Sequence, residues 1–560
     1  MADDFKLEAE VQRCSWCREP PRIGLDGKQK PLKSCSRCKS AWYHDSACQR
    51  RHYPTHKKTC RKSVSTTQTN SLSKQPPLLF PKFKIEQRSG KGNILVSAIS
   101  VRKGERICRE DDRRMDWPPL VPPVLHEEYR RTRCAYCFQN LSETFYRFHD
   151  VPPKPQYLLL FCSPSCRDDG RKAGFQQEEL SISRVYDKNG PPKIFSTAIL
   201  SYRIFAAQQT EDSESFTQNI DKLQATPAMQ VDSTNQYHTQ AVSLTVVAMI
   251  QMSKDSMNVP PIENINEMVN RIKLNGFSIC DGEFKALGVG IYDIPSFINH
   301  SCSPNAIQTF LFGQNKPAKL MLTAYEDIET GQEINISYID NACPRDIRQK
   351  RLREDYFFWC DCETCNDLQH DAKIVALKCS KCESKETVER VLEAGPDLVR
   401  YKCRYCGRMD FCEQLRILQG LETTVSSTSL LKDQQNRHKL LTDICHVNSW
   451  YVQESGEQLL QSYLDLLSTK GVDIEAQMKV AIEALNLIEE LVKSPQQGSS
   501  SARFKAVIMA CKAAKLRLFI EEDPRRAFEE IESCEMFLKP FYPPNHEFMI
   551  YLDNVKHGRL

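Results

Sequence analysis

Cysteine pairs separated by two intervening residues recur from the start of the chain to residue 406, and they constrain its folding more than any hydrophobic run does. The pairs are Cys14/Cys17, Cys35/Cys38, Cys134/Cys137, Cys379/Cys382 and Cys403/Cys406, with Cys360, Cys362 and Cys365 as a tighter triplet. The sequence holds 25 cysteines in 560 residues, and its start, MADDFKLEAE, is acidic and carries no apolar leader. Thiols in such a chain are expected to be reduced, as in the cytoplasm or nucleus. Reduced thiols at C-x2-C spacing are expected to bind zinc (Zn), because one tight turn then delivers two of the four donors of a tetrahedral site. A lone cysteine is more simply a buried apolar side chain; the clustering is what argues for metal.

Length and charge set further bounds. A chain of 560 residues exceeds one ordinary core, so several domains are expected. Lys and Arg total 76 against 72 Asp and Glu, a formal net charge of +4, which does not call for an obligate nucleic-acid or membrane partner. No run of about 18 apolar residues occurs, so a membrane-spanning helix is not expected.

Eight candidate ligands stand near the start: Cys14, Cys17, Cys35, Cys38, His44, Cys48, His56 and Cys60. Two C-x2-C knuckles followed by YHDSACQRRHYPTHKKTC resemble a MYND finger, a cross-braced two-zinc module, with His44 where the family usually has Cys. The resemblance implies one zinc on Cys14, Cys17, His44 and Cys48 and another on Cys35, Cys38, His56 and Cys60. It also implies proline-rich peptides as partners of the finger. His52 has no place in the pattern and is expected at the surface. The basic run RRHYPTHKKTCRK reads as a solvated face rather than a direct nucleic-acid contact. The finger is assigned to residues 1–62. The Ser/Thr-rich stretch up to Pro-Pro reads as a linker over 63–79.

Beyond the linker, alternating apolar residues bracket Gly90-Lys91-Gly92-Asn93, which predicts two strands around a turn. Cys134, Cys137, Cys162 and Cys166 have the spacing of a one-zinc set and match half the ligands of a MYND finger, so 134–166 reads as a reduced half finger. Residues 207–236 read as a loop or a polar helical insert with little to pack. Val242, Leu244, Val247, Ile250 and Met252, and then Ile265, Met268, Val269 and Ile272, fall at helical spacing and predict two core helices within a helical insert at 175–275.

The stretches NGFSICDGE, GVGIY, INHSCSPNA, GQEINISY and CDCETC, spread from Asn275 to Cys365, resemble successive motifs of a SET domain and its post-SET segment. With the finger, the chain is similar to the SET and MYND domain (SMYD) family of protein lysine methyltransferases. The resemblance implies a multidomain α+β chain with a β-rich SET domain over 80–340 and a zinc-binding post-SET segment over 341–367. It implies an S-adenosyl-L-methionine site of Lys91, Gly92, Asn93, Asn275, Asn299, His300, Tyr338 and Phe358. Tyr338 would be catalytic, and Phe277 and Tyr356 would line a substrate channel together with Phe358. Cys302 would complete a zinc site with Cys360, Cys362 and Cys365, so INHSCSPNA is expected to divide, Asn299 and His300 serving the cofactor and Cys302 the metal.

The implied reaction moves a methyl group from a sulfonium to a lysine amine of a protein, histone or otherwise. Such an in-line displacement needs alignment more than a strong acid or nucleophile. Aromatic walls disfavour the ammonium form and hold methylated amines. Cys280 and Cys302 are not needed as nucleophiles. Two departures stand out. Ile94 replaces a glycine that many relatives have, and the full finger precedes the SET domain while the half finger occupies the usual insertion point. The rival reading is an inactive adaptor or transcriptional co-regulator that recruits partners through the finger and the tail. Asn299, His300 and Tyr338, all present, favour the enzyme.

Cys379, Cys382, Cys403 and Cys406 have the C-x2-C-x20-C-x2-C spacing of a zinc ribbon, assigned to 368–411, which brings the expected zinc ions to five. Cys108, Cys280, Cys343, Cys412, Cys445, Cys511 and Cys534 are left as buried thiols. From 412 to 560 the pattern is helical. Ile474, Met478, Ala481, Leu485, Ile488 and Leu491 make one stripe with Asp473 as N-cap, and Asp523-Pro524 starts another helix. This all-α tail resembles the tetratricopeptide-like domain of the same family and could wall a substrate groove.

Overall fold

The computed structural model describes residues 32–35, 41–57, 82–88, 91–107, 116–151, 157–189, 195–209, 213–224, 233–253, 258–313, 315–367, 374–379, 381–382, 387–392, 399–403, 405–409, 411–424, 430–469, 471, 473–492 and 500–557. The chain divides into two compact units, 1–78 and 79–560. In the first, strands Lys33–Ser34 and Trp42–Tyr43 pair antiparallel and helix Ser46–His56 follows. Cys35, Tyr43 and Cys48 are buried. His52 is half-buried rather than superficial. Its Nδ1 hydrogen-bonds the Tyr43 hydroxyl at 3.0 Å and its ring stacks on His56 at 5.5 Å, so it props the helix against the hairpin. Cys14, Cys17, Cys38, Cys60, Cys108 and the linker at 63–79 lie outside the described residues.

In the second unit the alternation around the glycine turn gives an antiparallel hairpin, Phe83–Arg88 with Gly92–Ser97, Arg88 opposite Gly92. Gly92 has φ +72°, a backbone conformation that residues with a Cβ rarely adopt, so the turn requires glycine there. Ile94, two residues on, is fully buried and fills core volume that a glycine would leave empty. Two three-stranded sheets complete the β-rich body: Ala306–Leu311, Lys319–Ala324 and Arg106–Ile107 in one, Val124–Leu125, Ala286–Ile291 and Gly276–Cys280 in the other. Gly288 lies so close to the next strand that a Cβ would stand 2.2 Å from the Val124 carbonyl oxygen. The first glycine of GVGIY is therefore demanded by packing.

Helices Phe175–Asn189, Ser196–Gln208, Ser213–Asp221, Ser233–Met252 and Ile262–Asn275 form the insert, and share one core with the residues around Cys134, Cys137 and Cys166. The expected polar insert at 207–236 thus contains a helix, because Phe216 and Ile220 reach that core. Ile265, Met268, Val269 and Ile272 are buried as expected. Leu244 is not: it is 64% exposed, and Val242, Val246, Met249 and Ile250 form the packed face instead. Within this core Arg203 donates from Nε to Glu178 Oε2 at 2.6 Å and from Nη1 to the carbonyls of Pro122 and Pro123. The Tyr157 hydroxyl also donates to Glu178. Arg203→Met should therefore strand a buried carboxylate and destabilise the chain by about 3–5 kcal/mol, with partial recovery on adding Glu178→Gln. Urea unfolding of the single and double variants measures both.

Strands Leu377–Lys378, Thr387–Leu392 and Val399–Cys403 form a small antiparallel sheet whose core, with Phe411, Leu418, Leu441 and Val452, continues into the helical tail. In the tail, helices Leu431–Ile444, Trp450–Leu467, Ile474–Val492, Ser500–Phe519 and Pro524–Leu538 each pack on the next, and Glu547–Lys556 closes the series. Asp473 caps its helix by accepting from the Glu475 N–H at 3.1 Å, and Asp523 accepts from the Arg526 N–H. Ile474, at 74% exposed, falls outside the buried stripe of Ala481, Ala484, Leu485, Ile488 and Leu491. Among the described residues no helix is long and apolar enough to cross a membrane.

Candidate active site

Strands Asn299–His300 and Asn335–Ile336 run parallel, with Asn299 opposite Asn335 and His300 opposite Ile336. Two residues past the second strand, Tyr338 crosses back over the first. Its hydroxyl donates to the Ile298 carbonyl at 2.6 Å, and its N–H donates to His300 Nδ1 at 3.0 Å. With Nδ1 accepting, the neutral imidazole carries its proton on Nε2. That nitrogen stands 3.2 Å from Cys302 Sγ, and burial pushes the imidazole pKa down to about 4, which keeps it neutral. Cys302 falls in the cysteine set described next, and His300 links that cysteine to the tyrosine strand directly.

Among the described residues three sets of four cysteines converge, each with its sulfurs within 4.8 Å of one another: Cys134, Cys137, Cys162, Cys166; Cys302, Cys360, Cys362, Cys365; and Cys379, Cys382, Cys403, Cys406. Sulfur–sulfur contacts of 3.5 Å for Cys137/Cys162, 3.6 Å for Cys302/Cys365 and 3.7 Å for Cys379/Cys406 are too long for disulfides. They match the edges of about 3.8 Å in a tetrahedron built on metal–sulfur bonds of about 2.3 Å. The donor type and the edge length together suit zinc. In the finger, Cys35 Sγ lies 3.4 Å from His56 Nε2, so two ligands of one expected set meet. Of the other expected set, His44 and Cys48 are described.

The post-SET set is held from the helix Arg345–Tyr356. Gln349 donates to the Cys360 carbonyl at 2.6 Å and accepts from its N–H at 2.9 Å, and the buried Arg348 donates to the Cys343 carbonyl at 2.6 Å. The helix ends at Phe357 in the left-handed conformation, φ +62°, which turns the chain into Phe358 and Cys360. Tyr338, Tyr356 and Phe358 all pack against this cysteine cluster. The rings of Tyr338 and Tyr356 are 4.8 Å apart, and those of His300 and Phe358 are 6.0 Å apart.

A cavity of about 430 Å³ opens beside Tyr338. Phe277, Tyr338 and Tyr356 line it, and so do Phe504 and Lys505 from the helical tail. Phe358 is not among its lining residues and stands on the His300 side. Lys505 is bound to Asp340 at 2.7 Å and Glu457 at 2.8 Å, so one ammonium ties the tail to the segment just after Tyr338. Asn275 lines the cavity, but its side chain is spent elsewhere: Nδ2 donates to the carbonyls of Gln224 and Arg271, and Oδ1 accepts from the Gln224 N–H. Only its backbone remains for a ligand, the carbonyl oxygen accepting from Ser296 Oγ at 3.2 Å.

On the other side of the Asn299 strand lie Lys91 and the carboxylate of Glu333. Lys91 Nζ donates to Glu333 Oε2 at 3.0 Å, and Asn299 Nδ2 donates to Oε1 at 3.1 Å. The contacts therefore bring Lys91 and Asn299 together through Glu333, with Gly92 and Asn93 exposed beside Lys91. Glu333, Ser296 and Lys505 had no role in the sequence reading. Glu333 lies inside GQEINISY, a signal that was available, whereas a lone serine or a tail lysine carries none.

The MYND finger model matches residues 14–60 and the SET domain model residues 92–339. The human histone-lysine N-methyltransferase SMYD3 is 38% identical over 308 residues, 53% of this chain and 64% of the relative, so the match spans just under two thirds of that protein. The Arabidopsis thaliana histone-lysine N-methyltransferase ASHR1 is 28% identical over 402 residues, 67% of this chain and 77% of its own. The human N-lysine methyltransferase SMYD2 is 26% identical over 289 residues, 50% of this chain and 60% of its own. With a MYND finger match ahead of a SET domain match, and with one cysteine cluster of zinc geometry packed against Tyr338, the chain is similar over half its length or more to the SET and MYND domain (SMYD) lysine methyltransferases.

Proposed function

We propose that this chain is an S-adenosylmethionine-dependent protein-lysine N-methyltransferase, with the cofactor held on the Lys91, Asn299 and His300 side of Tyr338 and the substrate lysine entering from the cavity. The observation that carries the reading is the Tyr338 hydroxyl. Its proton is committed to the Ile298 carbonyl, so its lone pairs are what it offers a ligand at the cavity wall. It can accept from a lysine N–H and orient the amine. The residues suit the cofactor: an ammonium at Lys91 for a carboxylate, an amide at Asn299, open space over Gly92, and the rings of His300 and Phe358 for a base. S-adenosylmethionine, when bound, supplies the methyl group on a sulfonium.

Burial raises the pKa of Tyr338 well above the ordinary phenol value and that of Tyr356 to about 12, so neither acts as a base near neutrality. The aromatic walls of Phe277, Tyr338 and Tyr356 disfavour a charged amine and so help the lysine lose its proton before transfer. Histone and non-histone proteins are both candidate substrates, and the finger is assigned to proline-rich partner peptides. Cytoplasm and nucleus are the compartments whose reducing poise would preserve the thiolate sets. The test is incubation of the zinc-loaded chain with S-adenosylmethionine and a cell-extract protein mixture, followed by mass spectrometry of methyl-lysine peptides. Methylated peptides that vanish with Tyr338→Phe are expected. Cofactor binding without tyrosine-dependent transfer would overturn the enzyme in favour of an adaptor.

A further inference from the structure

We propose that Glu333 is a positioning residue that sets Lys91 and Asn299 to receive the amino-acid end of the cofactor, and thereby selects ligands bearing a zwitterionic amino acid over plain nucleosides. The inference rests on the methyltransferase reading. The Glu333 carboxylate is 11% exposed and each oxygen has its own donor, Asn299 Nδ2 on Oε1 and Lys91 Nζ on Oε2, with Arg88 Nη1 at 3.9 Å. Its backbone is fixed on both sides. Glu333 bridges Val96 antiparallel, its carbonyl accepts from Asn305 Nδ2 at 2.8 Å, and the Ile334 N–H donates to the Leu95 carbonyl at 2.8 Å. The carboxylate is therefore a rigid post between the glycine turn and the Asn299 strand.

Two consequences follow from donor counting. An amide whose NH2 is spent on a carboxylate presents its carbonyl oxygen, so Asn299 offers an acceptor suited to an ammonium. Lys91 is 51% exposed and would otherwise sample many rotamers; held on Glu333, it keeps two N–H donors for a carboxylate beside Gly92. One acceptor and one cationic donor, set by a single carboxylate, complement the two charges of an amino acid. Glutamine at 333 would break the arrangement, because its amide can accept from one partner while its NH2 faces the other.

The test compares two probes on the full zinc-loaded chain: S-adenosylhomocysteine, and 5′-methylthioadenosine, which has the adenosine and thioether without the amino acid. Glu333→Gln is expected to weaken S-adenosylhomocysteine binding by about tenfold or more, the size of a lost charge-assisted hydrogen bond, and to leave 5′-methylthioadenosine within about twofold. Retained binding of the second probe also shows that the variant is folded. Should Glu333→Gln not fold, Glu333→Asp, which keeps the charge but draws the carboxylate back from Lys91 and Asn299, is expected to give a selective loss of S-adenosylhomocysteine of at least about threefold. Equal losses for both probes, or none for either, would overturn the inference while the methyltransferase reading stands. Failure of the unaltered chain to bind either probe would overturn both.

Discussion

Tyr338→Phe is expected to slow methyl transfer by about 100- to 1,000-fold while S-adenosylhomocysteine affinity stays within about twofold, the range seen when one preorganised polar contact to a reacting group is removed. The ring is retained, so the 4.8 Å contact with Tyr356 and the packing on the post-SET cysteines survive. What is lost is the oxygen proposed to accept from the amine. The substitution also leaves the Ile298 carbonyl without its 2.6 Å donor, at a cost of about 1–3 kcal/mol that thermal unfolding would register separately from the rate. Because burial holds the phenol protonated across the working range, the pH profile should follow the substrate amine and rise with pH in both proteins. A profile whose shape changes in the variant would make Tyr338 a titrating base and contradict the role assigned to it. A rate loss under about fivefold would remove the tyrosine from the chemistry altogether.

Legibility in the sequence tracked how local the chemistry was. Cys134/Cys137 and Cys379/Cys382 could be read directly because two thiols on one turn have few uses in a reduced protein, and the folded chain brings each pair to a second one. Cys302 is 58 residues from Cys360, and nothing in its spacing pairs them; only the resemblance did. Helix faces were legible as periods but not as registers. Leu244 and Ile474 fit the period and lie exposed, because which flank of a helix is buried depends on neighbours that the stripe does not name. Charged residues were the least legible. Glu333 and Lys505 carry no mark that separates them from the many other charges of the chain, and their roles emerge only where a strand crossing places Lys91 and Asn299 on one carboxylate and where the tail brings Glu457 opposite Asp340. Asn275 shows a limit of another kind, since a motif names a residue without saying whether its side chain or its backbone is available. Its motif suggested a ligand, but the helix end it closes uses its amide for Gln224 and Arg271.

The cavity also shows why the tail matters to the site. Phe504 and Lys505 supply part of its wall, and the Lys505 ammonium is shared between a carboxylate of the tail and one that follows Tyr338 by two residues. Burial opposes the charge on Lys505, yet Glu457 and Asp340 raise its pKa above the ordinary lysine value. The bridge therefore persists at any pH at which the carboxylates are ionised, and the tail is fixed to the tyrosine segment.

Cys302→Ala is expected to remove one zinc equivalent and, with it, about 10- to 100-fold of cofactor affinity, although Cys302 itself is not placed in contact with the cofactor. The coupling runs through identified contacts. Cys302 shares its cluster with Leu352, Cys360 and Cys365, and the aromatic residues packed on that cluster are Tyr338, Tyr356 and Phe358. The His300 imidazole donates from Nε2 toward the Cys302 sulfur and accepts the Tyr338 N–H on its other nitrogen, so loss of the thiolate frees the ring that orders the strand crossing. Three remaining cysteines leave a tetrahedral site one donor short, and folding energy tied to the metal is lost with it. The ribbon supplies the control. Cys379→Ala should also cost one zinc equivalent, but its cluster packs on Phe411, Leu418 and Cys445 and, among the described residues, does not include Tyr338, Tyr356 or Phe358, so cofactor affinity should hold within about twofold. Metal content by atomic emission and S-adenosylhomocysteine binding by calorimetry read both variants. Equal cofactor losses in the two would mean that zinc acts on global stability alone, and unchanged zinc content in Cys302→Ala would break the assignment of Cys302 to the post-SET site.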